Sequence, residues 1–182
     1  VTRTPAVSIT DETVAARPDA GRTRVVPIGV TGHRSLPASV LPHLRSRMRE
    51  LLREGADLTV LTSLAAGADQ LFAKVALDCG VPVTAVIPGM DYAAHLGSAT
   101  DKAAYQRLLR CCTTRVDLPV EATHEEAYDA AGRWIVDHCD RLVAVWDGLP
   151  ARGRGGTGDI VAYARRTGVP VTVIWRTGAR RD

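Results

Sequence analysis

Apolar positions along the chain fall into two alternating rhythms. Short, nearly unbroken apolar runs at residues 24–30, 58–62, 81–87, 142–146 and 170–175 read as buried strands, with a further short strand at 115–118. Between them, apolar residues recur at three- and four-residue spacing. Val40, Leu41, Leu44, Met48, Leu51 and Leu52 mark one helix, ended at Gly55. Leu71, Phe72, Val75, Ala76 and Cys79 mark a second, stopped by Gly80. Tyr105, Leu108, Leu109 and Cys112 mark a third, with Ser98 or Thr100 as its cap. Thr123 and Glu126 form a capping box ahead of the stripe Ala127, Ala130, Ala131, Trp134, Ile135 and His138. Ile160, Val161 and Ala164 mark the last helix, which stops at Gly168. Pro27 lacks an N–H and is awkward in a central strand.

Strand and helix alternate almost throughout, which predicts a single α/β domain. Its sheet should be mostly parallel and doubly wound in the Rossmann-like manner, with right-handed crossovers and helices on both faces. We assign residues 1–23 to a flexible arm, 24–176 to the domain and 177–182 to a frayed tail.

Composition adds bounds. At 182 residues, 46% hydrophobic and 24% charged, the chain can bury a full-sized core. No apolar run reaches membrane-spanning length and the first residues are no signal peptide, so a cytoplasmic protein without a membrane partner is expected. A net charge of +3, with acids close to the many arginines, argues against a nucleic-acid partner. Cys79, Cys111, Cys112 and Cys139 lack metal-ligand spacing and read as free thiols, and the histidines form no His-Glu-x-x-His pattern. No metal and no resident cofactor are expected. Apolar helix faces lead us to expect a homodimer.

The chemistry concentrates in three glycine-bearing loops that follow strands. They are Thr31-Gly32-His33-Arg34, the stretch Ser63 to Asp69 containing Gly67, and Asp147 to Asp159 containing Gly148, Gly155, Gly156 and Thr157. In a parallel sheet all three reach the carboxyl edge, where ligands bind. A glycine turn before a helix lets backbone N–H groups approach an anion, and the helix dipole adds positive potential there. Gly155, Gly156 and Thr157 are therefore the candidate phosphate cradle, supported by amides near Gly32 and Gly67. Arg34 could pair with a phosphate bidentately. Asp69 could accept from ribose hydroxyls or serve the helix dipole. Asp147 and Gly148 could touch ligand or form a turn. His33 reads as a loop histidine or a base, and Ser63 as a ligand contact. Trp146, Tyr92 and Tyr128 could stack on a base or pack in the core. No Gly-x-Gly-x-x-Gly follows the first strand, no Gly-x-x-x-x-Gly-Lys-Ser/Thr occurs, and there is no Gly-x-Ser-x-Gly elbow.

Together, Thr31 to Arg34, Ser63 to Asp69, and Trp146-Asp147-Gly148 with Gly155-Gly156-Thr157 resemble the SLOG superfamily, over roughly residues 24–175. The superfamily includes DNA-processing protein A and the Lonely Guy phosphoribohydrolases, once described as lysine decarboxylases. The resemblance implies a Rossmann-like sheet and a nucleotide or nucleotide-derived ligand. Some members cleave N-glycosidic bonds of nucleoside monophosphates, some bind single-stranded DNA, and others are thought to sense signalling nucleotides. Lonely Guy enzymes carry Pro-Gly-Gly-x-Gly-Thr-x-x-Glu. Alignment on Gly156-Thr157 puts Ile160 at the Glu position and leaves Asp159 one residue early, rotated by about 100° on a helix. The phosphate-binding half of the motif is thus better kept than the catalytic half. We expect a sensor or carrier that binds without turnover. The alternative is a phosphoribohydrolase, with Asp159, Asp69 or Asp147 as its carboxylate.

Overall fold

The structure, a computed structural model, describes residues 24–54, 57–89, 91–151 and 153–179. The expected arm at 1–23, the helix stop at Gly55, and residues 180–182 of the tail lie outside the described residues. Six parallel strands are ordered β4-β3-β2-β1-β5-β6. They are β1 (Val26–Gly32), β2 (Leu58–Thr62), β3 (Val83–Gly89), β4 (Thr114–Val120), β5 (Arg141–Val145) and β6 (Val171–Ile174). The connecting helices are α1 (Leu41–Arg53), α2 (Ala68–Asp78), α3 (Ala99–Cys111), α4 (His124–Asp137) and α5 (Thr157–Arg166).

Strand order reverses once, between β1 and β5. Because crossovers keep one hand, that reversal moves α4 and α5 to the opposite face from α1, α2 and α3. Each strand feeds both sides with alternate side chains. Val60, Val83, Ala85, Val143 and Val145 join the core under the first three helices, while Leu61, Val86 and Leu142 pack with Ile135, Val136, Ile160 and Ala164 of α4 and α5. The expected doubly wound sheet is present.

Three local differences from the sequence reading have physical causes. β1 runs on through Gly32, because β5 pairs with it as far as Val145. β4 is a full strand of seven residues although its side chains are mostly exposed. It is an edge strand whose hydrogen bonds to β3, rather than burial, hold it in place. Pro27 is tolerated at the centre of the sheet for a positional reason. Val26 N–H donates to Asp57, so the position where Pro27 lacks an N–H faces β5, and β5 pairing starts only at Ile28. Ser98, not Thr100, caps α3, and both Ser98 and Thr123 complete capping boxes.

Candidate functional site

Reversal of strand order leaves a crevice at the carboxyl ends of β1, β2 and β5. It opens into a cavity of about 460 Å³, within the range of small-ligand sites. The end of β1 contributes Gly32, His33 and Arg34, and the turn after β2 contributes Ser63, with Asp69 from the first turn of α2. Gly155, Gly156 and Thr157 line it from the start of α5. These eight residues singled out from sequence therefore share one cleft, and Tyr92 and Tyr128 line it with them.

The remaining ones are placed elsewhere. Asp147 is not on the cleft wall. Its Oδ1 accepts from Leu149 N–H at 3.0 Å, closing a local turn, and lies 3.0 Å from His33 Nε2. Asp147 N–H donates to the same imidazole nitrogen at 3.1 Å. The residue thus orients His33 from behind, where Trp175 also meets the imidazole edge-on. Gly148 sits in the exposed turn beyond it, and Trp146 donates its indole N–H to Leu149 O. Asp159 is exposed and faces away, while Ile160 lines the cleft, as the helical offset requires. Gly67 lies behind the wall. Its φ is +80°, and a Cβ there would come within 2.3 Å of Arg34 O. Glycine at this position lets α2 start against the β1 turn, with Ala68 N–H donating to His33 O.

The amides sort themselves by strand and helix. His33 N–H is used by Val145 O and Ala68 N–H by His33 O, so the first two turns spend these donors on each other and on the sheet. The start of α5 differs. Gly156 is its N-cap and supplies no side-chain hydrogen bond. Among the described residues, Thr157 and Gly158 N–H have no protein acceptor. The anion-binding potential thus concentrates at α5. Gly155 holds this turn against α4. Its φ is +74°, and a Cβ would stand 2.6 Å from Asp129 N. Arg154 lies 3.4 Å from Glu126 and 3.6 Å from Asp129, so its charge is drawn toward α4.

Asp69 and Arg34 set the electrostatics. Burial pushes the Asp69 carboxyl up to about 6, although the Thr62 hydroxyl, the Ala65 and Ser63 amides and the charge of Arg34 all favour its anion. Burial, and then the Asp69 charge, hold the Tyr92 hydroxyl well above its ordinary value. Arg34 is exposed, and its guanidinium carbon lies 4.2 Å from the centre of the Tyr128 ring. Tyr128 in turn meets Tyr92 edge-on at 6.0 Å.

The sequence reading did not assign Glu125, Gly132 or Ile135 to the site. With Tyr128 they form one stripe of α4 facing the cleft. Their spacing is helical, but only the tertiary position of α4 distinguishes this stripe from ordinary core. Among the described residues, no group of three or more His, Cys, Asp or Glu side chains is placed to hold a metal ion. No helix among them is long and apolar enough to cross a membrane.

Fold and crevice together define a Rossmann-like domain with its opening at the point where strand order reverses. Solved structures carry the same architecture. DNA processing protein A from Streptococcus pneumoniae superposes with a TM-score of 0.64 at 17% identity, over 85% of this chain and 52% of that one. The Helicobacter pylori protein, described by its single-stranded DNA binding mode, gives 0.60 at 14%, over 86% and 68%. The molybdenum cofactor carrier protein of Chlamydomonas reinhardtii gives 0.55 at 18%, over 82% and 76%. These proteins are Rossmann-like members of the SLOG superfamily, and the likeness is one of fold. The chain spans about half the length of the Streptococcus protein. No protein-family model matches it, and no curated protein sequence does.

Proposed function

We propose that the cleft binds a phosphorylated, nucleotide-derived small molecule without turning it over, as a sensor or carrier would. The observation that carries this reading is the start of α5, where among the described residues the Thr157 and Gly158 amides have no protein acceptor and Thr157 lines a cavity of nucleotide size. Arg34 strengthens it, because among the described residues its guanidinium has no hydrogen-bond or ion-pair partner. A phosphate at the start of α5 would satisfy both. Two neighbours of this fold are described by a single-stranded DNA binding mode and as a molybdenum cofactor carrier, and both of those ligands bear phosphate.

Calorimetric titration with AMP and ADP-ribose tests the reading. Binding is expected for at least one, and Arg34→Ala weakens it by roughly 10- to 100-fold, the range for a charge-assisted hydrogen bond. No measurable binding of either compound overturns the reading. Binding of oligonucleotides instead, with a steep fall in affinity as salt rises, would move the assignment to single-stranded DNA.

Turnover is the second reading, and Asp69 is what favours it. A cleft-lining carboxyl that titrates at about 6 is suited to exchange protons near neutral pH. Asp159 faces outward and cannot take that role. Release of free adenine from AMP, abolished by Asp69→Asn, would establish hydrolysis; its absence leaves binding alone.

A further inference from the structure

We propose that the Tyr128 ring is the platform on which the planar base of the ligand stacks, and that the Arg34 guanidinium occupies this platform only until a phosphate draws it away. The inference rests on the nucleotide reading of the same cleft and names the group that recognises the ligand's base.

Arg34 and Tyr128 come from opposite sides of the crevice, one from the end of β1 and the other from α4. They meet at 4.2 Å, which leaves no room for a second flat group between them. A guanidinium is itself flat and covers an aromatic face much as a base does. The ring is braced for this use. Tyr92 stands edge-on to it, fixed in turn by Tyr105 at 5.6 Å, and Tyr92 and Tyr105 are both buried. The phosphate cradle is adjacent, because a Cβ on Gly155 would lie 3.1 Å from the Tyr128 carbonyl carbon. One ligand can therefore place its phosphate at α5 and its base over Tyr128.

The competition for Arg34 favours exchange. A cation–π contact at an exposed site shifts an equilibrium by roughly 2- to 5-fold. Hydrogen bonds from a guanidinium to a charged group shift it by roughly 10- to 150-fold. Phosphate wins the arginine and uncovers the ring. The uncovered face then selects for a ligand bearing a planar heteroaromatic group over the same sugar phosphate without one.

Titrations of AMP, ribose 5-phosphate and inorganic phosphate against the wild-type chain and Tyr128→Leu separate the possibilities. AMP should bind the wild type about 10- to 100-fold more tightly than ribose 5-phosphate, the range for one stacked base. Tyr128→Leu should erase that preference and leave ribose 5-phosphate affinity unchanged or improved. Tyr128→Phe keeps the ring and should keep the preference; it also serves if the leucine variant fails to fold. Equal affinity of the wild type for AMP and ribose 5-phosphate overturns the platform while the phosphate site stands. So does a parallel loss of both in Tyr128→Leu, which would make Tyr128 a brace for Arg34. Failure of all three compounds to bind overturns the platform, and if ADP-ribose also fails the proposed function falls with it.

Discussion

At the scale of single residues, Asp69 couples the cleft to the stability of the chain. Its carboxyl protonates at about 6 in the folded state, against 3.8 as its ordinary value. Between those two values the folded state holds the extra proton. Its contribution to stability is therefore fully present below about pH 4 and is lost as pH rises toward 6, by about 3 kcal/mol. Asp69→Asn removes this dependence. Urea unfolding of variant and wild type at pH 4 and pH 7.5 should show the difference moving in the variant's favour by roughly 2–3 kcal/mol as pH rises. A difference independent of pH would mean that the carboxyl titrates normally. The hydrogen bonds that Asp69 accepts favour its anion and are already counted in the pKa of about 6, so they do not change this pH-dependent difference. The sequence shows that Asp69 begins a helix, but not that Thr62, Ser63 and Ala65 fold around it. Asp147 is the converse case. At a strand end it reads as a ligand contact, and only its partner His33, 114 residues earlier, shows that it faces the other way.

At the scale of elements, α4 carries what the sequence pattern concealed. Its capping box is legible in Thr123 and Glu126, and its apolar stripe reads as core. That Glu125 and Tyr128 extend the stripe into the cleft depends on strand order, which periodicity does not encode. The cap can be tested directly. Thr123→Ala leaves the Glu126 amide without its acceptor and should lower stability by about 1 kcal/mol in chemical denaturation. Gly132 governs how closely α4 and α5 approach, since a Cβ there would lie 2.4 Å from Ile160 Cδ1. Alanine gains about 1 kcal/mol in helix propensity and loses about 1–3 kcal/mol to overpacking. The expected net result for Gly132→Ala is a loss of about 1 kcal/mol with weaker AMP binding, because the helices that wall the cleft are pushed apart. A stabilised variant with unchanged affinity would show that Ile160 yields without moving the backbone.

At the scale of the whole molecule, the alternation of apolar runs and helical stripes is enough to specify a doubly wound sheet. The glycine loops are enough to locate the edge of the sheet at which the crevice opens. What the chain does not spell out locally is which donors remain unspent there, because that depends on pairings such as His33 with Val145. A ligand bound at that edge stabilises the domain by mass action. AMP at a hundred times its dissociation constant should add about 2.7 kcal/mol and raise the melting temperature by roughly 5–10 °C for a chain of this length. An unchanged melting temperature under those conditions would contradict binding to the folded state.

β1 lies beside β2, its near neighbour in sequence, and β5, which joins residues 28–32 to residues 141–145. The second of these partners is made last, across more than half the length of the chain. During synthesis the first four strands can therefore assemble as one half of the sheet while the flank of β1 stays open. Only when residue 145 has emerged can that flank close, and only when residues 157–166 follow does α5 complete the wall across from Arg34. Competence to hold a ligand arrives late in biogenesis, and a chain cut short before β5 would keep a half-sheet with a sticky border and nothing to recognise.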